Sequence, residues 1–152
     1  MATCEEVQRR VQRMMAERFG SVRVLSSGMI TVSHESVRVF IEVQDGFGDD
    51  SPVVEISCPM VVDAPITPAL TRWVSMRGQL FKLGGCWLNP DSEDDPTTWI
   101  YFKYSLLGAD LDPAELMHAL NAVVHTSNKL DDELVATHGG RLFTADDDAD
   151  EE

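Results

Sequence analysis

The sequence has little of what membrane and disulfide-stabilised proteins need. No run of about 18 apolar residues occurs along the chain, so a membrane-spanning helix is not predicted. Its three cysteines, Cys4, Cys58 and Cys86, show no CxxC spacing, which favours reduced thiols over disulfides. The first residues carry acids and lack the apolar core of a signal peptide. We therefore expect a cytoplasmic protein, and its 152 residues fit one domain.

Catalytic motifs are also lacking. The chain contains no GxSxG, Walker, dinucleotide-binding or HExxH pattern. His118 and His125 would lie about 10.5 Å apart along a helix, which is too far for one metal ion. The adjacent acids 131–133 point in three directions around a helix and cannot act as a carboxylate pair. We expect no enzymatic activity, no metal and no cofactor.

Positive charge is scarce. Twelve basic residues face 26 acidic ones, giving a net charge of −14, and acids cluster in residues 91–95 and 146–152. Such a chain repels phosphate groups, so neither nucleic acid nor an anionic membrane is an expected partner. Arg9, Arg10 and Arg13 form one basic patch. That patch is either a solvated helix face or a docking surface for an acidic partner.

Apolar periodicity predicts an α+β fold, with an antiparallel β-sheet packed against helices in the order α-β-β-β-β-α-β-β-α. The predicted helices cover residues 5–19, a short segment after Thr67 and Pro68, and a long segment from 113 to the Gly-Gly pair at 139–140. The predicted strands are 22–25, 29–32, 37–43, 53–60, 79–88 and 98–106. Pro59 suggests that its strand ends at or near a sheet edge.

The last helix is the best specified element. Asp112, Pro113 and Glu115 supply an N-cap, a first-turn proline and a capping-box acid. Ser127 and Asp131 fall inside its apolar stripe and are the candidate buried polar residues. A buried acid needs a partner, so we expect Asp131 to pair with a Lys or Arg of the sheet in a structural salt link or at a groove rim.

The C-terminal end differs from the rest of the chain. Residues 144–152, TADDDADEE, are too polar and too uniformly charged to fold alone. We therefore expect a single domain over residues 1–143, followed by a disordered acidic tail.

Two segments carry a family resemblance. The final third reads LLGADLDPAELMHALNAVVHTSNKLDDELVATHGG, with a strand that ends in LLG, a DPxEL helix start, and LDDEL before Gly-Gly. Residues 58–74, CPMVVDAPITPALTRWV, lead from a strand into a proline-capped helix. Both resemble the actinobacterial YbjN-like peptide-binding chaperone domains, which are related to type III secretion chaperones. The resemblance implies a bacterial type III secretion chaperone-like fold that binds extended peptide, and it implies a homodimer.

Outward-facing aromatic residues are the candidates for such binding. Phe40, Trp87, Trp99 and Tyr101 are the predicted peptide-binding residues, because contiguous exposed aromatics usually mark a contact surface. Simple core packing is the alternative for each of them.

The short middle helix is the predicted dimer contact, by analogy with the secretion chaperones. Its apolar residues are Leu70, Trp73 and Val74. The preferred function is a non-enzymatic, chaperone-like adaptor that binds an extended peptide or segment of a partner protein. The alternative is a structural or regulatory interaction domain that acts through self-association without a peptide client.

Overall fold

A computed structural model of the protein describes residues 2–46, 51–77 and 81–148. Within these ranges the elements are α1 (Cys4–Phe19), β1 (Arg23–Val24), β2 (Ile30–His34), β3 (Val37–Gln44), β4 (Val53–Pro65), α2 (Pro68–Arg77), β5 (Gly85–Asn89), β6 (Thr97–Leu107), α3 (Pro113–His138), β7 (Arg141–Leu142) and a 3-10 helix (Ala145–Asp147). The predicted α+β class and element order are confirmed. β7 and the 3-10 helix follow the last predicted helix.

The strands form one antiparallel sheet around β4. The strand order is β1-β2-β3-β4-β6-β5, and β7 also pairs with β4. β4 has 13 residues, about twice the usual strand length. Its first part pairs with β3, and Val61 pairs with Ile100 of β6 on one side and Leu142 of β7 on the other. β7 therefore occupies the part of the β4 edge that β3 leaves open.

The expectation that the strand with Pro59 ends at or near a sheet edge is wrong. β4 is a central strand and continues to Pro65, whereas the predicted strand ends at residue 60. The pairing of β4 with β6 shifts register between Pro59 and Val61. A proline that lacks an N–H is tolerated at such a bulge because the regular ladder is already interrupted there.

The two long helices cover one face of the sheet, which we call the inner face. Alternate strand residues point to this face and are completely buried: Val39, Ile41, Val54, Ile56, Ile100 and Phe102. α1 contributes Val7, Val11 and Met15, and α3 contributes Leu116, Leu120, Val123 and Leu134. The period-two pattern of the strands and the 3.6-residue pattern of the helices thus meet in one core.

The helix ends match their sequence signals. Capping boxes join Thr3 to Glu6 at the start of α1 and Asp112 to Glu115 at the start of α3. Thr67 accepts a hydrogen bond from the Leu70 backbone N–H at 3.1 Å and so caps α2. These side chains satisfy backbone donors that the first helical turn leaves without partners.

Three other expectations are affected by the structure. The predicted strand 79–88 begins partly outside the described residues, and β5 starts only at Gly85. In the basic patch, Arg10 donates to the Ala109 carbonyl at 2.8 Å and Arg9 lies 3.6 Å from Glu5.

The predicted disordered tail starts at 144, yet Ala145–Asp147 forms a 3-10 helix. Residues 149–152 lie outside the described part, and the division at 143 stays a prediction.

Among the described residues, none of the helices is long and apolar enough to cross a membrane.

Candidate functional site

The opposite face of the sheet, which we call the outer face, carries large aromatic side chains and, in the described ranges, no α-helix. Phe40 of β3, Trp87 of β5, and Trp99 and Tyr101 of β6 all point to it, because strand neighbours alternate between faces. Trp87 lies directly opposite Tyr101 in the ladder between β5 and β6. Register therefore brings side chains together that are far apart in sequence.

The aromatic rings are in contact with one another and with a lysine. Trp99 and Tyr101 stack with their ring centroids 6.0 Å apart and an angle of 22° between the planes. The Lys103 ammonium lies 5.5 Å from the Tyr101 centroid and 5.6 Å from the Trp87 centroid. Cation–π attraction at these distances holds the lysine between two rings. Trp87 remains 58% exposed, whereas Trp99 and Tyr101 are half-buried.

A groove of about 280 Å³ runs between these residues. Among its lining side chains are Phe40, Trp99, Tyr101, Lys103, Glu55 and Phe143. Its walls combine four aromatic side chains with charged ones, among them Glu42, Asp147 and Asp148. Binding sites join apolar surface to polar groups that fix the orientation of a ligand.

One ion pair crosses the groove. The Lys103 ammonium lies 3.3 Å from the Glu55 carboxylate, and both side chains are about three-quarters buried. Glu42 stands directly opposite Glu55 in the ladder between β3 and β4. Two carboxylates facing each other repel, so Lys103 compensates a like-charge pair. Burial raises the pKa of the Tyr101 hydroxyl, which therefore stays a neutral hydrogen-bonding group at pH 7.

The C-terminal residues 141–148, which we call the strap, cross this face. Phe143 places its ring 6.4 Å from Phe40 and 5.9 Å from Trp99, both edge to face. Further along, the Asp148 carboxylate lies 3.2 Å from the Arg38 guanidinium. The sequence reading missed Phe143 and Arg38. A single aromatic residue between Gly-Gly and an acidic run was the available signal for Phe143.

Three of the four predicted peptide-binding residues thus line one groove, and Trp87 stands beside it across the Lys103 side chain. Their role in binding stays a prediction.

The three predicted dimer-contact residues differ in how far they are buried. Leu70 is completely buried in the core of its own chain and offers no surface to a second copy, so its assignment needs correction. Trp73 and Val74 are half-buried, and the Trp73 ring lies 6.0 Å from the His138 ring of α3. The exposed apolar residue of α2 is Met76, with 56% of its surface accessible.

The two polar residues of the α3 stripe differ in burial. Ser127 is completely buried, with its hydroxyl beside the Cys58 thiol, whose pKa burial raises to about 11. Asp131 is only half-buried and forms no ion pair with any residue in the described ranges, contrary to the expected Lys or Arg partner. It accepts a hydrogen bond from the Asp132 N–H at 2.7 Å. Burial raises the pKa of the Asp131 carboxyl.

No cluster of three or more His, Cys, Asp or Glu suited to a metal occurs in the described part of the chain. Burial raises the pKa of Cys86 to about 12, so this thiol, like Cys58, is protonated at neutral pH.

Comparison with known proteins assigns the fold. Residues 87–146 match the family model TY-Chap1, described as the type III secretion (YopN, CesT) and YbjN peptide-binding chaperone 1. The crystal structure of YbjN from E. coli superposes with a TM-score of 0.60 at 12% identity, over 85% of this chain and 91% of that chain. A chain of the ExsC–ExsE complex superposes with a TM-score of 0.58 at 15% identity, over 82% of this chain and 93% of that chain.

The fold is the YbjN-like, type III secretion chaperone-like fold. The predicted resemblance is confirmed in this respect. The family match covers the last part of β5 and all of β6, α3 and β7, and its residues include Trp87, Trp99, Tyr101 and Phe143. No curated protein sequence matches the chain.

Proposed function

We propose that the protein is a non-enzymatic, chaperone-like adaptor that binds an extended segment of a partner protein on the outer face of its sheet. The observation that carries this proposal is the groove between Phe40, Trp99 and Tyr101 on a face without an α-helix in the described ranges. Monomeric proteins seldom leave contiguous aromatic surface uncovered unless it serves binding. An extended peptide can place alternate side chains into such a groove.

The comparisons support the same proposal. The family matched by residues 87–146 is described as peptide-binding, and one of the similar chains comes from a complex with a protein. A cytoplasmic location fits the three cysteines, which form no disulfide in the structure. Neither nucleic acid nor membrane is an expected partner of a chain with a net charge of −14.

The test is capture of the partner followed by mapping of the bound segment. Tagged protein purified from its own host should retain a partner, and a peptide from that partner should bind the isolated chain. Trp99→Ser and Phe40→Ser remove groove walls and should weaken peptide binding by roughly tenfold or more. Met76→Ser on the exposed surface of α2 is the matched control and should leave binding unchanged. Equal affinity in folded groove variants and in the control would overturn the proposal.

The alternative function is self-association without a client. Its supporting observation is the surface of α2, where Met76 is 56% exposed beside Trp73 and Arg77, whose guanidinium lies 5.6 Å from the Trp73 ring centroid. Sedimentation of the wild type and of Met76→Asp distinguishes the two cases. A dimer that Met76→Asp dissociates, in a protein that retains no partner, would favour self-association over peptide binding.

A further inference from the structure

The strap lies on the sheet as an added strand. Leu142 pairs with Val61 and Arg141 with Val62, and the Phe143 N–H donates to the Met60 carbonyl at 3.1 Å. The ladder between β3 and β4 covers only residues up to Ser57 on β4. The strap therefore uses backbone groups of β4 beyond the end of β3.

Its first side-chain anchor is aromatic. Phe143 inserts its ring between Phe40 and Trp99, two of the groove walls. Edge-to-face contacts at these distances add to the apolar area that the ring removes from water.

Its second anchor is a carboxylate. Asp148 meets Arg38, and only 5% and 16% of their side chains remain accessible. Arg38 lies two residues before Phe40 on β3, so the same strand supplies a wall for the aromatic anchor and a cation for the acid.

The strap also holds its own shape. Arg141 donates two hydrogen bonds to the Asp147 carboxylate, at 2.8 and 2.6 Å, and the Thr144 N–H donates a third at 2.8 Å. These bonds, with the arginine bonds first, hold the pKa of Asp147 well below its usual range. The turn over Ala145–Asp147 is thus fixed by residues of the strap itself, and Phe143 and Asp148 are left to contact the sheet.

A second groove of about 490 Å³ lies on the other side of the strap, between the turn after β2 and α3. Phe143 and Pro59 line both grooves. The strap is therefore the partition between two grooves, and its removal would join them along the β4 edge.

Backbone pairing, one aromatic side chain and one carboxylate are the contacts by which a foreign peptide adds to a sheet edge. We propose that the strap is a built-in occupant of the peptide site, and that the partner segment that displaces it carries the same chemistry. That segment is extended, with an aromatic residue followed by a carboxylate about five positions later, as Phe143 is followed by Asp148. Glu42 and Glu55 disfavour acids at the opposite end of the groove. This inference rests on the proposed function.

The experiment uses a labelled synthetic peptide of residues 141–148 and the full chain. Wild-type protein should bind it weakly, because its own strap fills the site. The variant Phe143→Ser with Asp148→Asn keeps the groove walls that the sheet supplies but loses both strap anchors, and should bind the wild-type peptide roughly tenfold more tightly or better. A peptide carrying the same two changes should lose that gain. Asp146→Asn, an exposed strap residue, is the matched control and should behave as wild type.

A second measurement needs no variant. Hydrogen exchange of the Phe143 amide should proceed through local opening, faster than that of the Ile56 amide in the middle of β4. The strap proposal would be overturned if both amides exchanged only through global unfolding. It would also be overturned if the anchor variant folded but gained no affinity for the peptide.

The two proposals fail in different ways. If the groove variants still bind the mapped partner segment, the proposed function is wrong. If the groove variants lose the segment but the anchor variant binds it no more tightly than wild type, the proposed function stands and only the strap proposal is wrong.

Discussion

The two faces of the sheet are built from the same strands but differ in how far their side chains are buried. On β6, Ile100 and Phe102 point inward and are completely buried, whereas their neighbours Trp99 and Tyr101 point outward and are half-buried. The inner face is closed by helices with matching apolar stripes. The outer face carries even larger side chains, but its cover in the described ranges is a short segment of the chain's own end.

This difference shows that large apolar residues serve two purposes in this sheet. Burial on the inner face stabilises the fold, at roughly 25 cal/mol for each Å² of apolar surface removed from water. On the outer face two aromatic rings contact Lys103, which pairs with Glu55, so that the exposed surface is interrupted by charge.

The largest expected effect on stability tests the difference between the two faces. Phe102→Ala should lower the free energy of unfolding by about 3–5 kcal/mol, because it leaves a cavity in the packed core. Trp87→Ala should cost less than about 1 kcal/mol, since its side chain is 58% exposed. Urea denaturation measures both, and Phe102→Leu serves where the alanine variant does not fold. Similar losses for the two positions would mean that the outer face is part of the core.

The second prediction concerns charge on the outer face. Lys103→Met should lower stability by about 1–2 kcal/mol, because Glu55 is then left facing Glu42 without compensation. Adding Glu55→Gln to Lys103→Met should recover part of that loss in urea denaturation. Lys82→Met, at an exposed position, is the control and should have little effect. If the double variant recovers no stability, the ion pair with Glu55 is not the reason that Lys103 stabilises the protein.

Much of this architecture follows from local sequence signals. The alternation in residues 98–106 predicts which side chains share a face, and the capping boxes at Thr3 and Asp112 fix where two helices begin. These signals act within a few residues, so one sequence suffices to read them. The groove walls Trp99 and Tyr101 were predictable for the same reason.

The remaining features depend on contacts between distant segments. The strap folds because Arg38 and Phe40 meet Asp148 and Phe143 more than 100 positions later, which composition of the acidic end alone does not indicate. Pro59 lies in a central strand because a bulge accommodates it. Leu70 is buried because α2 packs onto the core, although its helical pattern fits a surface stripe equally well.

The third prediction concerns the polar residue buried beneath the inner face. Ser127→Ala should raise the free energy of unfolding by between zero and about 1 kcal/mol. The reason is that the hydroxyl is completely buried and its neighbour, the Cys58 thiol, is a weak hydrogen-bonding group. Ser105→Ala, at an exposed position of β6, is the control. A loss of more than about 1 kcal/mol in urea denaturation would show that the contact with Cys58 stabilises the packing of α3 on β4.

The smallest expected effect lies at Asp131, on the edge of the inner face. A carboxyl whose pKa is higher in the folded chain than its ordinary 3.8 binds its proton more tightly when folded. Its contribution to stability is therefore present below that ordinary pKa and is lost as the pH rises through the raised value. Asp131→Asn removes the charge and should stabilise the protein at pH 7, by less than about 1 kcal/mol.

Thermal unfolding of Asp131→Asn and wild type at pH 7 and pH 4 measures this effect. The difference in melting temperature should favour the variant at pH 7 and shrink at pH 4, where more of the wild-type carboxyl is protonated. Asp132→Asn, one residue further along α3 and exposed, should show no comparable gain at pH 7. A lower melting temperature for Asp131→Asn at pH 7 would mean that the ionised carboxylate stabilises α3, through its bond to the Asp132 N–H, by more than its burial costs.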